Sequence, residues 1–209
     1  MGADRDSRVG LSQLDYIIIL LYQLNVKIYG KPPPDWLIIY VPMKELAVVL
    51  HNIRSVYNTA SIFRTADGAG VKKIYLCGTT PAPTDVFGKV RPRFAKVSLG
   101  AEKFVEWEKA GSAVRLLKKL KNPPSGGGYK IFAVEQSRKS VPYRQLKIAG
   151  RKLKIALVFG NEVRGLPPPV LKLADRILEI PMLGRKESLN VGVAAGIVLY
   201  HFVRLERKK

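Results

Sequence analysis

One cysteine, Cys77, and two histidines, His51 and His201, are all the thiol and imidazole metal ligands this chain of 209 residues offers. A single thiol excludes an intramolecular disulfide framework, and so few ligands form no zinc-type cluster, so no metal is expected. Cys77 ends the apolar run KKIYLC, the place of a small buried residue, and the expected location is the cytoplasm. Long apolar runs are scarce too. YIIILLY at 16–22 falls well short of the roughly 20 apolar residues a membrane span needs, and Gln23 and Asn25 interrupt it. Asp4, Asp6 and Asp15 precede that run and no small-residue cleavage site follows, which does not fit a signal peptide. Neither the dinucleotide fingerprint GxGxxG nor the phosphate loop GxxxxGK[ST] occurs.

Acidic residues are few. Sixteen Asp and Glu stand against 36 Lys and Arg, a net charge of +20. Such an excess points to a polyanionic partner, nucleic acid foremost; the alternative is a basic protein with no such partner. No Lys-rich amphipathic helix suggests an anionic membrane surface. The charge is unevenly placed. In residues 1–43, Arg5, Arg8, Lys27 and Lys31 cancel Asp4, Asp6, Asp15 and Asp35, so all of the excess lies on 44–209. KPPPDW at 31–36 is a linker-like break. The chain therefore reads as an N-terminal extension, 1–43, with no role assigned to it, and one domain, 44–209. The extension is either an appended helix or strand, or a segment ahead of a start at Met43.

Within the domain, ELAVVLHNI at 45–53 is a continuous apolar run, as expected of a strand covered on both faces. RSVYNTASIFRTADGAGV at 54–71 carries apolar residues at helical spacing, with Gly68 and Gly70 as stop signals, and KKIYLCG follows as a second strand. Pro81, Pro83, Gly88 and Pro92 exclude regular structure from most of 79–98, leaving a basic loop with Lys89, Arg91, Arg93 and Lys96. That loop is either an RNA-phosphate surface or an ordinary solvated one. AEKFVEWEKAG and AVRLLKKLK both look helical, the latter with Leu116, Leu117 and Leu120 inward and Lys118, Lys119 and Lys121 outward. YKIFAVE, KIALVFG and RILEIPM are further strands, PPPVLKLA a short helix, and 188–209 a long helix with Ser188 at its N-cap. Alternating strands and helices give an α/β domain with a mainly parallel sheet flanked by helices.

Ligands of open α/β sheets sit beyond the carboxyl ends of the strands. Two strand ends here carry polar, glycine-bearing turns: GNEVRG at 160–165, and LGRKESLN at 183–190 ahead of the last helix. In the first, Glu162 and Arg164 could form a plain ion pair. In the second, Ser188 and Asn190 can bind a polar group at the helix start. No histidine lies near Ser188 in sequence to serve as its base. Asn58 and Arg64 share the first helix but stand about 240° apart on it. They meet in one site only if Asn58 lies before or at the helix start. An arginine in so apolar a segment faces either a site or solvent.

Three segments in order, NTASIFRTADGAGV at 58–71, LVFGNEVRGL at 157–166 and EIPMLGRKESLNVGVAAGIVLY at 179–200, resemble the SpoU-type RNA 2′-O-ribose methyltransferases of the SPOUT superfamily. The resemblance spans about 45–204. It implies a C-terminal trefoil knot, a homodimer with the active site at or near its interface, and RNA, either tRNA or rRNA, as substrate. It also implies S-adenosylmethionine held in the knot by Gly160, Ile180 and Leu189, with Val134 and Glu135 after the third strand as further contributors. Asn58, Arg64, Glu162, Ser188 and Asn190 correspond to the catalytic set, Arg64 being the group implied to activate the ribose 2′-hydroxyl. Guanidinium is a poor base unless desolvated, so an electrostatic and orienting role is the minimum expected of it. Gly192 stands where the family usually has serine. Rival readings are a non-catalytic RNA-binding or ribosome-assembly protein, a knotted enzyme methylating a base nitrogen, and a structural ribosome-associated protein. The intact set favours the ribose methyltransferase.

Overall fold

The computed structural model describes residues 43–146 and 153–206. The apolar run at 16–22 and the proline break at 31–36 lie outside the described residues. Strand β1 (Met43–His51) leads into helix α1 (Val56–Gly68) and strand β2 (Lys73–Cys77). Then come α2 (Pro92–Ser98), a 3-10 turn (Ala101–Lys103), β3 (Glu106–Ala110), α3 (Ala113–Lys121), β4 (Tyr129–Val134) and β5 (Val141–Pro142). The chain closes with β6 (Leu153–Phe159), α4 (Pro168–Leu171), β7 (Arg176–Glu179) and α5 (Val191–Glu206).

The seven strands form one sheet in the order β3-β2-β1-β6-β4-β7-β5, with every pairing parallel. β1 shows why its sequence lacks alternation. Leu46, Val48 and Leu50 enter the core on one face, with Phe63, Phe94 and Phe202, while Ala47 and Val49 enter the core on the other, with Leu117 and Val170. Both faces are covered, by α1, α2 and α5 on one side and α3 and α4 on the other, which is the α/β layering expected. Cys77 is fully buried, and burial pushes its thiol up to about 12. Among the described residues no helix is long and apolar enough to cross a membrane.

Four readings of the sequence need correction. The segment read as a helix at 101–111 is a 3-10 turn and then β3, an edge strand. Its Glu and Lys content favours helix locally, but parallel pairing with β2 decides for strand, accompanied by the surface ion pairs Lys72–Glu106 (2.8 Å) and Lys73–Glu108 (2.9 Å). The basic loop contains α2, because Pro92 sits in the first turn of that helix, where its missing N–H costs nothing. Lys121 is not simply outward. Its ammonium is half-buried and bonded to Leu173 O (3.0 Å) and Asp175 (3.3 Å). The last helix begins at Val191, not at Ser188.

α1 and α5 lie against each other through small side chains. A Cβ on Gly68 would meet the Tyr200 hydroxyl at 2.9 Å, and one on Gly196 would meet Thr65 Cγ2 at 3.7 Å. This contact brings the N-termini of both helices to the carboxyl ends of β6 and β7.

Candidate active site

The loop leaving β6 is shaped by its own side chains. Asn161 Oδ1 accepts the N–H groups of Val163 (3.0 Å) and Arg164 (2.9 Å), and its amide donates to Asn52 O (2.8 Å). Gly165 N–H closes the turn on Asn161 O (2.9 Å). A Cβ on Gly160 would lie 2.5 Å from the carbonyl carbon of Gly165, so only glycine permits this closure. Gly165 has φ of +61°, and a Cβ there would strike the Glu135 carboxylate at 2.3 Å. Glu135 in turn accepts the N–H of Leu166 (2.7 Å) and of Gln136 (3.0 Å), tying the end of β4 to the end of β6.

Glu162 does not pair with Arg164. Its carboxylate accepts the N–H groups of Arg54 (3.0 Å) and Ser55 (3.2 Å) at the start of α1, and the Asn58 amide (3.0 Å). These are donors that the first turn of a helix leaves unpaired, and the positive end of the helix favours an anion there. Burial pushes the Glu162 carboxyl upward, but the bonds from Arg54, Asn58 and Ser55 outweigh it and hold the group below its ordinary value. Asn58 is the third residue of α1, its N–H capped by Ser55 Oγ (3.2 Å). Its side-chain carbonyl accepts from the Asn190 amide (3.0 Å). Asn190 also caps α5, its oxygen accepting from Gly192 N–H (2.8 Å) and Val193 N–H (3.4 Å). Asn190, Asn58 and Glu162 therefore form one hydrogen-bonded chain joining two helix N-termini to the β6 loop. A side chain on Gly192 would press the cap, its Cβ coming 3.1 Å from Asn190 Oδ1 and 3.6 Å from Ser61 Oγ. Glycine at this position keeps α5 close to α1.

Beside this chain lies a cavity of about 180 Å³ between the ends of β4, β6 and β7. Val134, Glu135, Gly160, Ile180 and Leu189, the five positions read from the sequence as cofactor contacts, all line it, together with Glu162 and Ser188. Among them the Glu135 carboxylate is already occupied by backbone N–H groups, so it organises the wall. Arg64 stands apart. It is exposed and makes no hydrogen bond or ion pair to another described residue, being on the face of α1 that carries Tyr57 rather than Asn58. Lys89 and Arg91 are exposed ahead of α2, and Arg93 is exposed in its first turn. Among the described residues no cluster of three or more His, Cys, Asp or Glu could hold a metal ion.

The sequence reading missed Asn161, Asn52 and Arg54. Asn161 had a signal: an Asn directly after the strand's glycine is suited to bond its own backbone two and three residues on. Asn52, at φ of +54°, accepts the N–H of Thr79 (3.0 Å) and shares with Arg54 and Arg164 a second cavity of about 680 Å³ on the other flank of the β6 loop.

Residues 45–200 match the model of the SpoU rRNA Methylase family. The tRNA (guanosine(18)-2′-O)-methyltransferase of Aquifex aeolicus is 33% identical over 166 residues, covering 79% of this chain and 72% of that protein. The crystal structure of the A. aeolicus TrmH/SpoU tRNA modifying enzyme superposes with a TM-score of 0.64 at 32% identity, covering 82% of this chain and 79% of the other. An AdoMet-bound rRNA methyltransferase from Sinorhizobium meliloti gives 0.66 at 28% identity, covering 81% of this chain and 59% of its own. With the three motifs on the strand ends and helix starts described above, the match over most of its length means that the chain belongs to the SpoU rRNA methylase family.

Proposed function

We propose that this chain is an S-adenosylmethionine-dependent methyltransferase acting on a ribose 2′-hydroxyl of tRNA or rRNA, with 44–209 as the methyltransferase domain and 1–43 as an extension to it. The observation that carries the reading is the Asn190–Asn58–Glu162 chain set against a cavity walled by Val134, Gly160, Ile180 and Leu189. Relatives named as tRNA and rRNA 2′-O-methyltransferases support it.

The cavity suits the cofactor. Val134, Ile180 and Leu189 offer apolar surface to a flat base, and the loops after β4 and β6 would hold polar edges through their backbone groups. Bound S-adenosylmethionine supplies an electrophilic methyl group. The chain's own residues contribute position and field. Glu162 fixes Asn58, Asn58 fixes Asn190, and the site is thereby held before substrate arrives. Ser188 has its hydroxyl available to the ribose. Arg64 orients the RNA and stabilises charge developing on it.

The reading includes the family's trefoil knot, with the Gly160–Gly165 closure and the Glu135 tie as its fastening. It also includes a homodimer. Tyr57, Val193 and Tyr200 leave 55%, 53% and 52% of their surfaces exposed on the α1–α5 face that also carries Arg64. A second copy covering this face puts Arg64 at the boundary between subunits. Sedimentation giving only monomer at working concentration would remove the dimer. We place the protein in the cytoplasm, with its RNA.

The deciding experiment supplies the purified protein with methyl-tritiated cofactor and total tRNA or rRNA, then maps 2′-O-methyl positions. Label on ribose is expected. Arg64→Ala is expected to lose roughly a hundred-fold or more of the rate, with cofactor binding by calorimetry near that of wild type. Equal rates for both proteins sink the assignment of Arg64. No label on any RNA hands the fold to the non-catalytic RNA-binding reading.

A further inference from the structure

The loop between β2 and α2 is more than a basic surface. Residues 84–90 form a small hairpin, bridged between Thr84 and Val90. Asp85 Oδ1 accepts the N–H groups of Phe87 (2.9 Å) and Lys89 (2.9 Å), Asp85 N–H donates to Lys89 O (2.9 Å), and Gly88 N–H donates to Asp85 O (3.2 Å). Arg91 ties the base, its N–H donating to Pro83 O (2.9 Å) and its Nε to Thr84 O (3.2 Å). The hairpin is thus ordered by its own bonds. Its tip buries nothing: Val86 is 90% exposed and Phe87 91%, the most exposed aromatic side chain among the described residues.

An ordered loop that holds a phenylalanine in water presents it to a ligand. The surroundings say which. Lys89 is exposed two residues after Phe87, Arg91 is exposed at the base of the hairpin, Arg93 and Lys96 are exposed on α2 directly after it, and the one carboxylate in the segment, Asp85, is occupied by the turn. An exposed aromatic face on a basic segment matches a nucleobase and its phosphates. A duplex keeps its base faces stacked, so only unpaired nucleotides offer a face to stack on. The hairpin also rises from the right edge. Its root residue Thr80 is buried, accepts Ile53 N–H (3.1 Å), and has its hydroxyl against Leu50 O and Cys77 O, at the ends of β1 and β2, one turn of chain from Arg54 and Glu162.

We infer that the 84–90 hairpin is an RNA-reading finger: Phe87 stacks on an unpaired base, with Lys89 and Arg93 on the flanking phosphates, so that the substrate presents a single-stranded loop to the site. This rests on the reading of the chain as an RNA methyltransferase and specifies the shape of its substrate.

The test uses the full chain, an RNA hairpin with an unpaired loop, and a blunt duplex of the same stem, with binding read by fluorescence anisotropy. Phe87→Ala is expected to weaken binding of the looped RNA roughly ten-fold and to leave the duplex unchanged. Phe87→Trp is expected to keep the affinity, and 2-aminopurine in the loop to be quenched by wild type but not by Phe87→Ala. Lys89→Ala is expected to weaken both RNAs alike and to flatten the salt dependence. Unchanged binding of the looped RNA by Phe87→Ala, or equal losses on both RNAs, overturns the finger. So does a change in self-association with RNA binding intact, which would assign the tip to a contact between copies. A wild type that methylates RNA while Phe87→Ala binds normally sinks the finger alone. A wild type that neither binds nor methylates RNA sinks the enzyme reading with it.

Discussion

The loops that leave β6 and β7 both wall the same cavity, yet they are built differently. In the β6 loop, the side chains of Asn161 and Glu162 engage three partners each, and Gly165 and Leu166 are held from within the turn and by Glu135. In the β7 loop, residues 181–189 make no hydrogen bond to another described residue, and all of 183–190 is exposed, Leu183 to 99%. Only Asn190, at its end, is tied down. One wall is complete in the free chain, and the other offers side chains and backbone groups that a ligand can satisfy. Preorganisation on one side lowers the ordering cost of binding, and an unsatisfied side supplies the contacts.

If the β6 loop is preformed by close backbone packing, disturbing that packing should cost most. Gly160→Ala places a methyl 2.5 to 2.8 Å from backbone atoms of Gly165 and Leu166, which cannot swing away as a side chain can. The expected loss is about 3 kcal/mol of stability, read by denaturant unfolding, together with cofactor binding below detection by calorimetry. Wild-type stability in this variant would mean that the loop relaxes freely and that the contrast with the β7 loop is not one of rigidity.

Glu162→Gln should cost less, about 2 kcal/mol, since it keeps the shape and removes the charge from the α1 N-terminus. Its pH dependence gives the sharper reading. The folded carboxyl is held below its ordinary value despite burial, by Arg54, Asn58 and Ser55. The unfolded group titrates near 4.3, so Glu162 contributes stability that is full above that pH and is lost as the pH falls through the lower folded value. Wild type should therefore show an acid-side fall in melting temperature below about pH 4.5 that is shallower in Glu162→Gln. Parallel acid limbs for the two proteins would show that the carboxylate's bonds carry no net charge preference.

The same contrast explains what could be read from the chain beforehand. β1 and β6 were legible because sheet interiors covered on both faces leave continuous apolar runs. β3 was not, because an edge strand that pairs with β2 and carries the surface ion pairs Lys72–Glu106 and Lys73–Glu108 has the composition of a solvated helix. The two-residue β5 carries no periodicity at all, and Pro92 reads equally as a breaker or a first-turn residue. Within the site, Asn58, Glu162 and Asn190 stood out as polar residues at strand ends and helix starts, but their linkage could not. Residues 58, 162 and 190 meet only because α5 packs on α1 through Gly192 and Gly196, a tertiary fact. The same packing moved the cap of α5 from Ser188 to Asn190. Arg64 lies in the clearest motif of all, yet no single-chain contact gathers it with the others.

The smallest stability effect belongs to the β7 loop. Leu189 lines the cavity with 38% of its surface still exposed and bonds to nothing that orders the loop. Leu189→Ala should change stability by less than about 0.5 kcal/mol, while weakening cofactor binding about ten-fold through lost apolar contact. Hydrogen exchange should agree: adding S-adenosylmethionine to wild type should slow exchange across 181–190 and change 163–166 little, because the latter amides already have partners. A Leu189→Ala protein that loses stability in step with affinity, or protection that rises equally in both loops, would show that the two walls order together on binding and that the β6 side is no more preformed than the β7 side.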